Sequence, residues 1–177
     1  MKYPKVKLAV VLAMLLTPAV SGWCWAEGNL QDLACLCKQE GDRLLHQGET
    51  QEAIRAYQKA LAQNRKLAPA WFNMAIAFYT QRDVDRAAFA LRRLVSLQPR
   101  DSEAHYNLGC LNLYRGNIHE ARKEFEKARR SLPGESFLAE QIDRAFLFLE
   151  LFENSSALQQ RKILQMLQDG LQPLTSA

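Results

Sequence analysis

Histidine is scarce in this 177-residue chain, with only His46, His105 and His119. No two of them stand at a spacing that puts ligands on one helix face, so the usual nucleus of a zinc site is missing. No serine sits in the strained turn of a hydrolase nucleophile. A phosphate loop needs G-x-x-x-x-G-K-[ST], whereas Gly116 in "NLGCLNLYRGN" is followed by Asn117 and Ile118. Haem attachment needs C-x-x-C-H, and Cys35-Leu36-Cys37 has the wrong spacing. These absences leave no catalytic residue, metal or cofactor to assign, and an enzyme reading has nothing to stand on. His105 reads as a core or half-buried side chain. Glu120 and Glu124, among Lys123, Lys127 and Arg130, read as solvated charge on a helix face.

A lasting excess of one charge is also missing. The formal net charge is +4, from 23 basic and 19 acidic residues. The first 26 residues hold Lys2, Lys5 and Lys7 and no acid, which leaves 20 basic against 19 acidic side chains beyond them. The case for a nucleic-acid partner falls with that balance.

What the start does contain is a basic stretch and then an apolar run from Leu8 to Val20, followed by the small residues of a cleavage region. This is the layout of a secretory signal, with cleavage expected after Ala26. Leu8 to Ala26 is 19 residues long, close to the roughly 20 of a membrane span, so an uncleaved anchor stays open. Either outcome places the rest outside the cytosol, in a periplasm or at the membrane facing it. Trp23 before Cys24 argues against lipidation. Loss of Cys24 with the leader leaves Cys35, Cys37 and Cys110, an odd number for an oxidising compartment. Cys35 and Cys37, two apart on a helix, point to different sides and are not expected to bond to each other. Packing or a redox role remain for them.

Beyond a linker at 27–33, the chain repeats with a period of 34. Blocks span 34–67, 68–101 and 102–135. In the third block Leu108, Gly109, Ala121, Phe125, Ala128 and Pro133 occupy positions 7, 8, 20, 24, 27 and 32. The second matches with Met74, Ala75, Ala87, Leu91, Leu94 and Pro99, the first with Gly41, Ala53, Tyr57 and Ala60. Small residues at 8, 20 and 27 let two antiparallel helices approach. Gly48 and Gly116, at position 15, suit a left-handed helix end, and Arg82 suits it less. Pro99 and Pro133 stop the second helices. The first block departs from the pattern at Cys37, Glu40 and Arg65, so its helices are the least secure.

These residues resemble the tetratricopeptide repeat family over 34–135. The resemblance implies an all-α solenoid of about three helix-turn-helix repeats that binds a protein or peptide in its concave groove. Carried over position by position, that groove contains Lys38, Asp42, Phe72, Asn73, Ile76, Tyr79, Tyr106, Cys110, Leu113 and Tyr114. Aromatic and aliphatic side chains dominate the last two blocks, as suits an extended or helical peptide. Some relatives clamp a carboxylate there; Lys38 and Asn73 match such a clamp, but Asp42 and Glu103 would repel the ligand.

Residues 136–177 read as capping helices and a tail. Leu138, Ile142, Ala145, Leu149 and Phe152 form one helical stripe, with Phe148 and Leu151 as a second apolar edge. A last helix near Ala157–Gln168 supplies Leu158, Ile163, Leu164 and Leu167 to cover it, since stacked repeats need a terminal cover. The alternative function is structural: this edge builds a homo-oligomer.

Overall fold

The computed structural model describes residues 18–132 and 134–170. The basic start and residues 8–17 of the apolar run lie outside them, as do Pro133 and the tail at 171–177. Among the described residues there are eight helices and no strand: α1 (Pro18–His46), α2 (Thr50–Gln63), α3 (Ala68–Thr80), α4 (Val84–Leu97), α5 (Ser102–Tyr114), α6 (Ile118–Ser131), α7 (Phe137–Glu153) and α8 (Ala157–Gly170). None of them is long and apolar enough to cross a membrane. The segment 27–33, expected as a linker, is helical and continuous with α1.

The three repeats are three antiparallel pairs, α1 with α2, α3 with α4 and α5 with α6, each pair stacked on the next. Their turns are built alike. Gly48 donates to the Leu45 carbonyl (3.0 Å) and Glu49 to that of Leu44 (2.9 Å). Arg82 and Asp83 repeat this with Tyr79 and Phe78, and Gly116 and Asn117 with Leu113 and Asn112. This pair of bonds satisfies the last carbonyls of a helix and needs a left-handed residue at its centre. The φ values there are +80° at Gly48, +59° at Arg82 and +76° at Gly116. Arg82 is the one described non-glycine residue with positive φ, a conformation that costs an L side chain roughly 1–2 kcal/mol. Asp83 and Asp101 then start the next helices by accepting from the N–H of Arg86 and Ala104, which satisfies an otherwise orphaned donor.

The first repeat forms despite its departures. Glu40 lies at the surface and pairs with Arg43 at 2.6 Å, so an apolar residue is not required there. Where a proline was absent, Asn64 ends α2 instead: its φ is −136°, and its side-chain oxygen accepts from the Lys66 N–H at 2.9 Å. Such an Asx turn competes with continuing the helix.

Inside each pair the decisive contact is between position 8 and position 24. A Cβ placed on Gly41 would lie 2.6 Å from the Tyr57 ring, and one on Gly109 2.6 Å from the Phe125 ring. Both rings are fully buried. The middle repeat carries Ala75 and Leu91 at the same positions, a larger residue facing a smaller one, and both are buried.

Glu124 is not on the solvated face expected of it. It turns inward, where Oε2 lies 2.7 Å from Nδ1 of the buried His105, while His105 Nε2 donates to the Pro99 carbonyl at 3.1 Å. Its other oxygen, Oε1, still meets the i+3 cation Lys127, at 2.7 Å, so the acid serves the buried histidine and the solvated face at once.

At the C-terminal end α7 stacks on α6. Ile142 and Leu149 join the cluster around Phe125, and Phe146 meets the Phe125 ring edge-on at 6.3 Å. Arg122 to Glu153 (2.9 Å) and Arg129 to Asp143 (3.3 Å) tie the same two helices. α8 folds back on α7 and also reaches α5, where Leu164 Cδ1 comes within 3.6 Å of a Cβ placed on Gly116. Its cover of the second edge is partial: Ile163, Leu164 and Leu167 are half-buried, while Leu151 stays 62% and Leu158 65% exposed.

Two outcomes test these contacts. Gly109→Ala should destabilise the protein by about 2 kcal/mol through overpacking, and Phe125→Leu in the same chain should recover part of that loss, as read by denaturant unfolding. Arg82→Gly should stabilise it by about 0.5–1 kcal/mol, relief of the left-handed cost outweighing glycine's unfolded-state entropy.

Candidate protein-binding groove

The first helices of the repeats, α1, α3 and α5, supply every residue expected in the groove, and α1 also touches α3. The structure sorts these residues into two groups.

The first is polar and closed on itself. Asp42 Oδ2 pairs with Lys38 Nζ at 2.6 Å. Its Oδ1 accepts from Asn73 Nδ2 at 2.7 Å and from the Tyr57 hydroxyl at 2.9 Å. All three of Lys38, Asp42 and Asn73 are half-buried. Burial, and then the Asp42 carboxylate, push the Tyr57 phenol far above the ordinary tyrosine value, so it stays a donor. The two groups that matched a carboxylate clamp are therefore engaged by a carboxylate of the chain itself. A charged acceptor with three donors is among the stronger side-chain arrangements in a half-dry site. Tyr57 is the member that position-by-position reading missed. Its place at position 24 marked it as core, and only its hydroxyl reaches the site.

The second group is aromatic and aliphatic. Phe72, Ile76, Tyr106, Cys110, Leu113 and Tyr114 are half-buried. Tyr79 corrects the expectation: at 9% exposure it belongs to the core. Its phenol is raised by burial and then by the nearness of Cys110 and Tyr114. Tyr106 packs against Phe125 with ring centroids 5.7 Å apart. It packs in the same cluster as Cys110, and its phenol too is held above the ordinary value, by burial first and then by the nearness of Cys110. Burial pushes the Cys110 thiol up to about 11, against a smaller lowering by Tyr106. Glu103, at the start of α5, has its carboxyl raised by desolvation and by neighbouring Asp101.

Cys35, Cys37 and Cys110 are free thiols, with Cys35 exposed. Among the described residues no group of three or more His, Cys, Asp or Glu side chains could hold a metal ion. The geometry is that of a helical repeat scaffold presenting one polar and one apolar patch on its inner helices.

Comparison with known proteins names that scaffold. Two family models, both described as Tetratricopeptide repeat, match residues 44–109 and 102–135. The chain belongs to the tetratricopeptide repeat family. It is 29% identical over 96 residues to a TPR repeat-containing protein of Methanocaldococcus jannaschii, covering 54% of this chain and only 17% of that relative. Among solved structures, the TPR domain of P58(IPK) superposes with a TM-score of 0.63 at 20% identity, over 68% of this chain and 33% of that one. The first TPR of Spaghetti (RPAP3), bound there to an HSP90 peptide, gives 0.58 at 21% identity, over 66% and 95% of the two chains.

The thiol chemistry makes a direct prediction. With a pKa near 11, Cys110 is thiolate to only about one part in a thousand at pH 8, and the thiolate is the nucleophile. Iodoacetamide at pH 8 should modify Cys35 first and Cys110 last in the native protein, with the difference lost in denaturant. Equal native rates, read by peptide mass, would contradict the placement of Cys110.

Proposed function

We propose that the chain is an exported protein-binding module, without catalytic activity, that holds a partner protein or peptide on the inner helices of its repeats. The observation that carries this reading is the half-exposed row Phe72, Ile76, Tyr106, Leu113 and Tyr114. Large apolar groups that are neither core nor fully solvated, fixed on rigid helices, are what a partner's side chains need for anchorage. A solenoid of this fold can hold an extended peptide, as the RPAP3 domain holds its HSP90 peptide. Here Asp42 already satisfies Lys38 and Asn73, so recognition runs through the apolar row and not through a partner's terminal carboxylate. The leader-like start supports an exported or membrane-anchored location.

A second reading is favoured by a separate observation. Leu147, Leu151, Leu158 and Met166 are each more than half exposed on α7 and α8. An apolar edge of that kind on a terminal cap suits a contact between copies of the chain.

A photo-reactive residue at Ile76 identifies the partner in living cells. Phe72→Ala and Tyr106→Ala should then each weaken binding by more than about 1 kcal/mol, with Lys59→Ala, exposed on α2, neutral and circular dichroism confirming the fold. Binding unchanged in both groove variants would sink the groove reading.

A further inference from the structure

A second surface lies away from the groove, between α2 and α4 and floored by α3. It is a hollow of about 770 Å³ whose walls include Arg65, Lys66, Trp71, Phe89, Arg93 and Leu97. Phe89 is 49% exposed, with the Arg93 guanidinium 5.5 Å above its ring and the Trp71 ring edge-on at 6.2 Å. The Trp71 N–H is already used on the Arg65 carbonyl at 2.9 Å, so the indole offers the hollow only apolar surface. No carboxylate lines it. Of its four cations, Arg86 pairs with Asp83. Arg65, Lys66 and Arg93 have no carboxylate partner among the described residues. The hollow is therefore basic and aromatic, and it fits an acidic helix edge with large apolar residues.

The chain carries such an edge on α7. Phe137 is 76%, Leu147 57% and Leu151 62% exposed. Steps of ten and four put these on one helical face, and Glu150 lies beside the two leucines. Glu140, Asp143 and Glu153 are paired with Arg144, Arg129 and Arg122. Glu135 and Glu150 have no cationic partner among the described residues. Glu135 lies just before the helix begins, and Glu150 falls between the two leucines in sequence. This helix cannot reach its own hollow, because it stacks on α6, beyond α4 and α5.

We propose that the α7 edge of one copy docks as a helix into the α2–α4 hollow of the next. The proposal rests on the second reading above and names the surface that the C-terminal edge meets. Leu147 and Leu151 lie against Phe89, Trp71 and Leu97, and the two unpaired carboxylates meet the three unpaired cations. The two faces differ and sit at opposite ends of the stack, so the contact is heterologous and propagates into a chain or closes into a ring.

Sedimentation velocity on the full chain tests this with two variants, both checked by circular dichroism. Lys66→Glu/Arg93→Glu removes the hollow's charge, and Leu147→Lys/Leu151→Lys removes the edge. The wild type should grow beyond a dimer as concentration rises, with association weakened by added salt. Each variant alone should be monomeric. Mixed one to one they should form a dimer and nothing larger, since the first keeps its edge and the second its hollow. A mixture that stays monomeric overturns the proposal. Self-association retained by the hollow variant also overturns it, by moving the contact to an α7–α7 pairing that leaves the second reading standing. A wild type that is monomeric at every concentration removes both.

Discussion

An aromatic ring seated on a glycine holds this structure together and also places its binding chemistry. Tyr57 over Gly41 and Phe125 over Gly109 leave no room even for one methyl group, so each ring is locked against the opposite helix. Packing this dense transmits position. Locked over Gly41, Tyr57 extends its hydroxyl to Asp42, and Asp42 in turn gathers Lys38 and Asn73. Locked over Gly109, Phe125 supports Tyr106 on one side and Phe146 on the other. One kind of core contact thus sets the polar patch in the first repeat, the apolar patch in the third and the docking of the cap.

The two patches differ because the rings differ in a single atom group. A tyrosine at the buried position brings a donor that must find an acceptor, and Asp42 supplies it. A phenylalanine brings none, and its surroundings are correspondingly apolar: Tyr106, Cys110 and Leu113 pack around it. The buried His105 needs partners for the same reason as Tyr57, and takes them from Glu124 and the Pro99 carbonyl. In that way the third repeat gains a polar tie between its two helices where the second has Trp71. Charge on the outer surface is arranged differently. Glu124, Glu126, Glu140, Asp143 and Glu153 are each paired with a cation, whereas the unpaired Glu135 and Glu150 at the cap and the unpaired cations around the α2–α4 hollow lie far apart in the stack.

Much of the fold was legible in the order of residues. A period of 34 with small residues at fixed positions determined the helix pairs, and Gly48 and Gly116 marked their turns, because only a left-handed residue closes that hydrogen-bond pattern cheaply. Arg82 stood out as the poor fit and does carry a positive φ. Less of the site was legible. Tyr79 occupied a groove position by count, yet it is buried in the core, and no local pattern reports what the neighbouring helices cover. Glu124 looked solvated because its sequence neighbours are cations, while the residue it meets lies 19 positions away.

What the sequence determined by itself is therefore the part governed by local rules: period, helix ends, the size match of positions 8 and 24, and which inner positions carry aromatic or charged side chains. Tertiary structure alone decided how those side chains are used. It closed Lys38 and Asn73 onto Asp42, buried Tyr79 in the core, and left the α7 edge and the basic hollow uncovered. The reason is that hydrogen bonds, ion pairs and burial between helices depend on distances across the stack. Those distances follow from how closely the helices pack, which is a property of the assembled core and not of any one segment.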